Sequence, residues 1–121
     1  MNYYTNTQRQ LQTQSSETGI RSVRIRGVAV SISNQRGGLL IWGKPEHKGK
    51  SVTIEGRYGE GAYGHTANQS FIEFTGNDRR QYVAIFQRLT PGSYTVKSYI
   101  SGHSYESVTI SSEYASQLDW S

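Results

Sequence analysis

Residues 82–98 read YVAIFQRLTPGSYTVKS, two apolar runs separated by a proline and a glycine. The pair Pro91-Gly92 stands at the second and third positions of a four-residue turn, which is the preference of a type II turn. Beyond it, Tyr94 and Val96 alternate with polar residues, as in a strand with one buried face. We therefore predict two β-strands that are joined by a tight turn and return to the same core.

The same alternation recurs along most of the 121-residue chain. Valine, isoleucine and threonine together outnumber alanine, leucine and methionine more than two to one, which favours strands over helices. Glycine-rich turns separate the apolar runs at intervals of about 8–12 residues. This pattern predicts an all-β fold, an antiparallel β-sandwich of seven to nine short strands, preceded by an extended N-terminal tail.

Two further segments give local expectations. In residues 20–33 the alternation changes phase at Gly27: Val23 and Ile25 alternate with polar residues before it, and the apolar residues after it follow the opposite phase. A change of phase at a glycine predicts a bulge or a strand that passes between sheets, and so one bent strand or two short ones. Residues 39–42, LLIW, predict a short strand that is buried on both faces.

Residues 86–96, FQRLTPGSYTV, resemble the phrase F-x-x-L-x-P-G-x-Y-x-V of prealbumin-like sandwiches. That phrase recurs in carboxypeptidase regulatory-like domains and in the collagen-adhesin B-type repeats of bacterial surface proteins. The resemblance covers roughly residues 70–120 and implies an immunoglobulin-like or prealbumin-like sandwich, with a hairpin turn at Pro91-Gly92. Such modules serve as spacers, adhesins, sugar-binding accessories and assembly subunits, so the resemblance selects no single function.

The N-terminus differs in composition from the rest of the chain. Residues 1–19, MNYYTNTQRQLQTQSSETG, hold too few apolar groups to pack against a core, so we predict a polar tail there and a single sandwich domain over residues 20–121. Residues 1–57 carry nine Lys and Arg against three acids, whereas residues 58–121 carry four against six. This asymmetry suits an anionic partner, a contact between complementary halves of neighbouring subunits, or simply a solvated basic strand face.

Several classes of site are disfavoured by the residues. The chain has no cysteine, which excludes disulfides and thiolate metal sites. His47, His65 and His103 fall in predicted loops without the spacing of a metal site, and we interpret them as surface histidines. Nucleophile-elbow and phosphate-loop patterns are absent, so we predict no enzymatic activity and no cofactor. No apolar run approaches the roughly 20 residues of a transmembrane helix, so no membrane span is expected.

We predict a non-catalytic structural subunit of a homopolymeric assembly, such as a surface filament, a sheath or a virion-like structure. In this hypothesis the tail, residues 3–17, adds a strand to a neighbouring subunit through main-chain hydrogen bonds. The sequence does not determine the localisation, and an extracellular or particle-surface position agrees best with this function. The residues expected at the docking contact are Tyr3, Tyr4, Leu11, Arg21, Arg24 and Arg26.

A carbohydrate-binding, lectin-like module is the alternative. Residues 56–69 contain four glycines and two tyrosines, and we expect them to form a long loop in which a ring stacks on a sugar. The same loop could instead pack on the sandwich edge or on a neighbouring subunit, or be presented to a protein partner. Nucleic acid is disfavoured because the second half of the chain is acidic. The candidate ligand residues are Trp42, Tyr58, Tyr63, His65 and Asn68.

Overall fold

The computed structural model describes residues 19–57, 66–76, 78–98 and 107–120. Within these ranges the chain forms ten strands and one short 3-10 helix, Pro45–His47, so the predicted all-β fold class is confirmed. The strands are β1 (Arg21–Ile25), β2 (Val28–Ile32), β3 (Gly37–Gly43), β4 (Ser51–Arg57), β5 (Thr66–Ser70), β6 (Ile72–Gly76), β7 (Arg79–Leu89), β8 (Gly92–Ser98), β9 (Ser107–Ile110) and β10 (Ala115–Asp119).

The strands form two four-stranded sheets and one hairpin. The outer sheet has the order β9-β8-β4-β5, the central sheet has the order β10-β3-β7-β6, and β1 pairs with β2. Every neighbouring pair is antiparallel except β10 and β3, which run parallel with Ala115 opposite Gly38 and Asp119 opposite Trp42. The structure thus departs from the expectation in this parallel pair, and in having ten strands instead of seven to nine in the described ranges.

Apolar residues of the two sheets meet in a main core. Leu39 and Ile41 of β3 and Phe86 of β7 enter it from the central sheet, while Ile54 of β4 and Val96 of β8 enter it from the outer sheet. All five side chains are buried. The facing layers that the alternation predicted are therefore present, with side chains from both inner faces filling the space between them.

A second core lies on the other face of the central sheet. Leu40 and Trp42 of β3 and Val83 of β7 pack there against Val28 and Val30 of the β1–β2 hairpin. Strand β3 is consequently buried on both faces, as residues 39–42 predicted, because the hairpin forms a third layer over the sandwich. That layer explains why the apolar run is continuous and does not alternate.

The phase change at Gly27 is a hairpin turn. Arg26 and Gly27 have φ angles of 54° and 85°, and Ile25 is paired with Val28 across them. Two consecutive positive φ angles are the geometry of a type I′ turn, whose twist matches that of the flanking strands. Of the alternatives left open by the sequence, residues 20–33 therefore form two short strands, and no bulge is needed to explain the pattern.

The connection at Pro91-Gly92 is not the hairpin that the resemblance implied. Strand β7 belongs to the central sheet and β8 to the outer sheet, so the chain crosses from one layer to the other. The hydroxyl of Tyr94 donates to the carbonyl oxygen of Thr90 at 2.6 Å and closes this corner. Phe86 and Tyr94 still enter the same core. The alternation specified which face is buried, and both a hairpin and a crossing satisfy that requirement.

The interpretation of His47 as a surface histidine is wrong, because its side chain is only 2 % exposed. It ends the 3-10 helix, and its Nδ1 accepts a hydrogen bond from the backbone N–H of Lys44 at 2.9 Å. The ring lies 5.2 Å from that of Phe71 and 6.5 Å from that of Trp120, measured between centroids. An accepting Nδ1 requires the neutral ring with its proton on Nε2. The histidine therefore fixes the loop before β4 onto the main core.

We expect His47→Ala to lower the free energy of unfolding by about 2–4 kcal/mol, since it leaves the Lys44 N–H without its acceptor and opens a cavity beside Phe71. Urea unfolding measures this change. His47→Asn is the matched control, because its amide oxygen can replace Nδ1 as an acceptor and should recover part of the loss. An alanine variant within about 0.5 kcal/mol of the parent, as for an ordinary surface position, would contradict the structural role.

Candidate functional site

Strand addition requires a sheet edge with unpaired backbone groups, so the four edges of the two sheets are the candidate docking sites. The outer sheet ends in β9 and β5, and the central sheet ends in β10 and β6. These edges differ in charge and in how they are covered. The differences decide which edge can accept a strand.

The β6 edge carries a charged cluster. The carboxylate of Glu73 accepts a hydrogen bond from Lys48 Nζ at 2.8 Å and lies 3.1 Å from Nε of Arg80. The bond from Lys48 lowers the pKa of Glu73 and raises that of Lys48. Charged side chains on an edge strand discourage another chain from pairing with it. The β6 edge is therefore poorly suited to strand addition.

The β9 and β10 edges are linked to each other. The hydroxyl of Ser116 on β10 donates to the carbonyl oxygen of Thr109 on β9 at 3.1 Å. The chain segment that connects β9 to β10 also contacts β3, because the N–H of Gly38 donates to the carbonyl oxygen of Tyr114 at 2.9 Å. The carbonyl oxygen of Thr109 on the β9 edge is thus already occupied, and an added strand would have to displace Ser116 from it.

The β5 edge has none of these protections. Its sequence, TANQS, contains no charged residue and no proline, and all of its residues except Ala67 are exposed. It pairs with β4 on one side, and within the described ranges no strand covers the other side. Backbone groups on an uncovered edge are directed outward at every second residue. Strand β5 is therefore the most accessible edge of the sandwich.

Strand β5 also corrects the predicted loop. Residues 56–69 were expected to be a connection, but β4 continues to Arg57 and β5 begins at Thr66, so only residues 58–65 lie between them. Asn68, a candidate ligand residue, lies in the strand, where its Nδ2 donates to Oγ1 of Thr53 at 2.7 Å. Strand β5 has no signal in the sequence, because its residues do not alternate in polarity and only Thr66 favours strands. Pairing with β4 overrides this weak preference.

The other candidate ligand residues are not brought to Asn68. Tyr58, Tyr63 and His65 lie outside the described residues. Trp42 is 2 % exposed, faces the second core, and donates from Nε1 to Oε1 of Gln117 at 2.9 Å. A buried ring offers no free face to a sugar, so Trp42 supports the hairpin layer and is not placed to stack on a ligand.

The three arginines predicted at the docking contact lie on the hairpin and make local contacts. Arg21 Nη1 donates to the carbonyl oxygen of Gly19 at 3.1 Å, and Arg24 Nη1 donates to that of Gly27 at 2.9 Å. The guanidinium of Arg26 lies 4.4 Å from the centroid of the Trp42 ring. Each of the three guanidinium groups thus contacts a different group. The tail residues Tyr3, Tyr4 and Leu11 lie outside the described residues.

Comparisons with known proteins leave the family open. No protein-family model matches the chain, and no curated protein or solved structure matches it significantly. The resemblance to prealbumin-like sandwiches accordingly remains a prediction. In the part of the chain that the structure describes, no three His, Asp or Glu side chains are grouped so that they could hold a metal ion. Those same ranges contain no helix of the length and apolarity that a membrane crossing requires.

The stabilisation that the Glu73 cluster provides should depend on pH. Because Lys48 lowers the pKa of Glu73, the cluster stabilises the fold at pH values above the ordinary carboxyl pKa, and this contribution is lost as the pH falls through the lowered value. We expect an NMR titration to give Glu73 a pKa below the ordinary one, and Lys48→Met to bring it back towards that value.

Lys97→Met is the matched control for this titration, because Lys97 Nζ pairs with Glu55 at 3.0 Å in the other sheet. It removes the same charge and should leave the pKa of Glu73 unchanged. Equal effects of the two variants would show that long-range charge, and not the contact with Lys48, sets the pKa.

Proposed function

We propose that the protein is a non-catalytic structural subunit that polymerises by strand addition, with the tail of one subunit pairing along the β5 edge of the next. The observation that carries the proposal is the contrast between edges. Strand β5 is exposed, uncharged and uncovered by any described residue, whereas Glu73 places charge on β6, and β9 and β10 bind each other. Such an edge is an aggregation hazard unless a specific strand covers it.

The composition of the tail suits this edge. Glutamine occupies every second position at Gln8, Gln10, Gln12 and Gln14, so in an extended strand all four side chains would share one face. Glutamine and asparagine side chains form hydrogen-bonded ladders across paired strands, and β5 offers Asn and Gln in its own sequence. The tail therefore provides both backbone and amide hydrogen bonds to the edge.

The length of the tail is also adequate. The predicted docking segment, residues 3–17, is longer than the five residues of β5, so the pairing does not use the whole segment. Leu11 falls on the face opposite the glutamines and would anchor the added strand, with Tyr3 and Tyr4 extending the contact. Each main-chain hydrogen bond contributes about 0.5–1.5 kcal/mol net, so the backbone pairing is weak alone and the side-chain contacts of the segment would have to add to it.

The alternative of a carbohydrate-binding loop stays a prediction. Its residues Tyr58, Tyr63 and His65 lie outside the described residues, and Trp42 is buried. No observation on the described residues favours sugar binding by that loop. A filament, sheath or particle built by β5 pairing is the function that the described edges support best.

We expect the full chain to form polymers, and two changes to leave folded monomers: deletion of residues 1–18, and the double substitution Asn68→Lys with Gln69→Lys. The lysines place charge on the exposed β5 edge, which opposes strand addition. Ile72→Lys with Thr75→Lys is the matched control, since it adds the same two charges at exposed positions of β6 and should polymerise like the parent. Sedimentation velocity and negative-stain electron microscopy measure the outcome.

A peptide of residues 1–18 completes the test. It should bind the truncated protein with the parent β5 and fail to bind the truncated lysine variant. Polymers formed by the truncated protein would show that the tail is dispensable, and a full chain that stays monomeric at high concentration would exclude a polymer-forming subunit.

A further inference from the structure

A basic cleft opens where the β1–β2 turn, the end of β3 and the start of β7 meet. We define it by four cationic residues that line it, Arg26, Lys44, Arg79 and Arg80, and its volume is about 270 Å³. An open groove of about 540 Å³ adjoins it and is also lined by Arg79 and Arg80. No residue of β5 lines the cleft, so it is not part of the proposed docking site.

Two of the four cations are held in position by neighbouring groups. The guanidinium of Arg26 lies over the Trp42 ring, and its Nη2 is 3.7 Å from Oδ2 of Asp119. Arg80 is fixed through Nε by Glu73. Since one nitrogen of a guanidinium is used in each contact, the remaining N–H donors of both side chains are available to a ligand.

The turn that carries Arg26 is also tied to the cleft. Gln81 Nε2 donates to the carbonyl oxygen of Arg26 at 3.1 Å and joins the hairpin to β7. Arg26 itself has a positive φ, which places its backbone in the turn rather than in a strand. The position of this guanidinium is therefore set by the backbone, by the indole and by a carboxylate together.

The other two cations are in no ion pair of the described residues, although the carboxylate of Asp78 lines the adjoining groove together with Arg79. Within the described ranges Lys44 and Arg79 make no ion pair, although both are exposed and line the same cleft. Other exposed cations do form ion pairs, Lys97 with Glu55 and Lys48 with Glu73. Like charges gathered around a concave surface raise its potential and attract anions.

We propose that the basic cleft binds an acidic glycan, a sugar chain that carries carboxylate or sulfate groups. Guanidinium groups bind such oxyanions through paired N–H donors, and two of the guanidiniums here are already positioned. The adjoining groove would take the neighbouring sugar units, where the exposed hydroxyl of Thr75 can bind sugar hydroxyls.

The walls of the cleft favour a glycan over single-stranded nucleic acid. Single-stranded nucleic acid is bound largely by stacking of bases on exposed aromatic rings, but Trp42 is 2 % and Tyr82 only 9 % exposed. Clusters of arginine side chains also recognise acidic motifs in peptides, so a poly-glutamate chain is the competing polymer that the binding experiment has to include. A flexible chain of anionic sugars needs no exposed aromatic ring.

We expect the full chain to bind a heparin tetrasaccharide, and the double variant Lys44→Gln with Arg79→Gln to bind it about tenfold more weakly. The matched control Arg21→Gln with Lys97→Gln removes the same charge away from the cleft and should change the affinity less than about twofold. A neutral chitin tetrasaccharide should not bind. Isothermal titration calorimetry gives the affinities, and the thermal unfolding of each variant shows that it is folded.

The salt dependence separates the cleft from a diffuse charge effect. The slope of log K against log[salt] is negative, and its magnitude should decrease by about two in the cleft variant, one for each cation removed. In the control the slope should stay near the parent value. Equal losses in both double variants would overturn the proposal, as would a cleft variant that binds like the parent. Equal or tighter binding of a poly-thymidine or poly-glutamate chain of the same charge would also overturn it, because the partner would then be a different polymer.

The proposed polymerisation does not enter this test. The tetrasaccharide is titrated into the parent and into the lysine variant of β5, and the two should bind it equally. If the parent polymerises but does not bind the glycan, only the proposal for the cleft is overturned. If the parent binds the glycan but does not polymerise, only the proposal of strand addition is overturned.

Discussion

The burial of β3 on both faces is the constraint on which the rest of the fold depends. Leu39 and Ile41 enter the main core while Leu40 and Trp42 enter the second core, so this strand needs a layer on each side. The outer sheet provides one layer and the β1–β2 hairpin provides the other. A strand of this kind left without the hairpin would expose an indole and a leucine to water, each worth about 1.5–3 kcal/mol of burial.

Close approach at the ends of β3 makes this arrangement possible. A Cβ atom at Gly38 would lie 2.8 Å from Cγ2 of Val30 in the hairpin, and one at Gly43 would lie 2.6 Å from Nδ1 of His47. Glycine at these positions therefore lets the hairpin pack at one end of the strand and the buried histidine at the other. The apolar run between the glycines determines the two cores, and the glycines determine how near their partners come.

The sequence predicted those elements whose burial follows from the polarity of their own residues. It missed those that depend on contacts with strands or side chains distant in sequence. The run at residues 39–42 predicted a strand covered on both faces, because burial has a direct signature in polarity. The phase change at Gly27 marked where one strand ends and the next begins, although the feature there is a hairpin turn and not the predicted bulge or passage between sheets. Strand β5 has no such signature, and it forms because β4 lies beside it. His47 was missed for a similar reason, since its burial comes from Phe71 and Trp120, which are distant in sequence.

The charge asymmetry of the chain is partly resolved inside one subunit. Arg26 and Lys48 from the basic half pair with Asp119 and Glu73 from the acidic half. These contacts reduce the charge that would be available for complementary binding between neighbouring subunits. The proposed docking contact at β5 would need no such charge, because that strand is uncharged and hydrogen bonds would carry the pairing.

The cations that remain outside any ion pair in the described ranges include Lys44 and Arg79, and both line the basic cleft. Charge and backbone pairing are thus divided between two surfaces of the sandwich. Association through backbone groups at β5 depends weakly on ionic strength, whereas the attraction of the cleft for an anion is screened within about 8–10 Å at ordinary salt. The proposed strand addition and the proposed glycan contact would therefore use different surfaces of one small subunit and respond differently to salt.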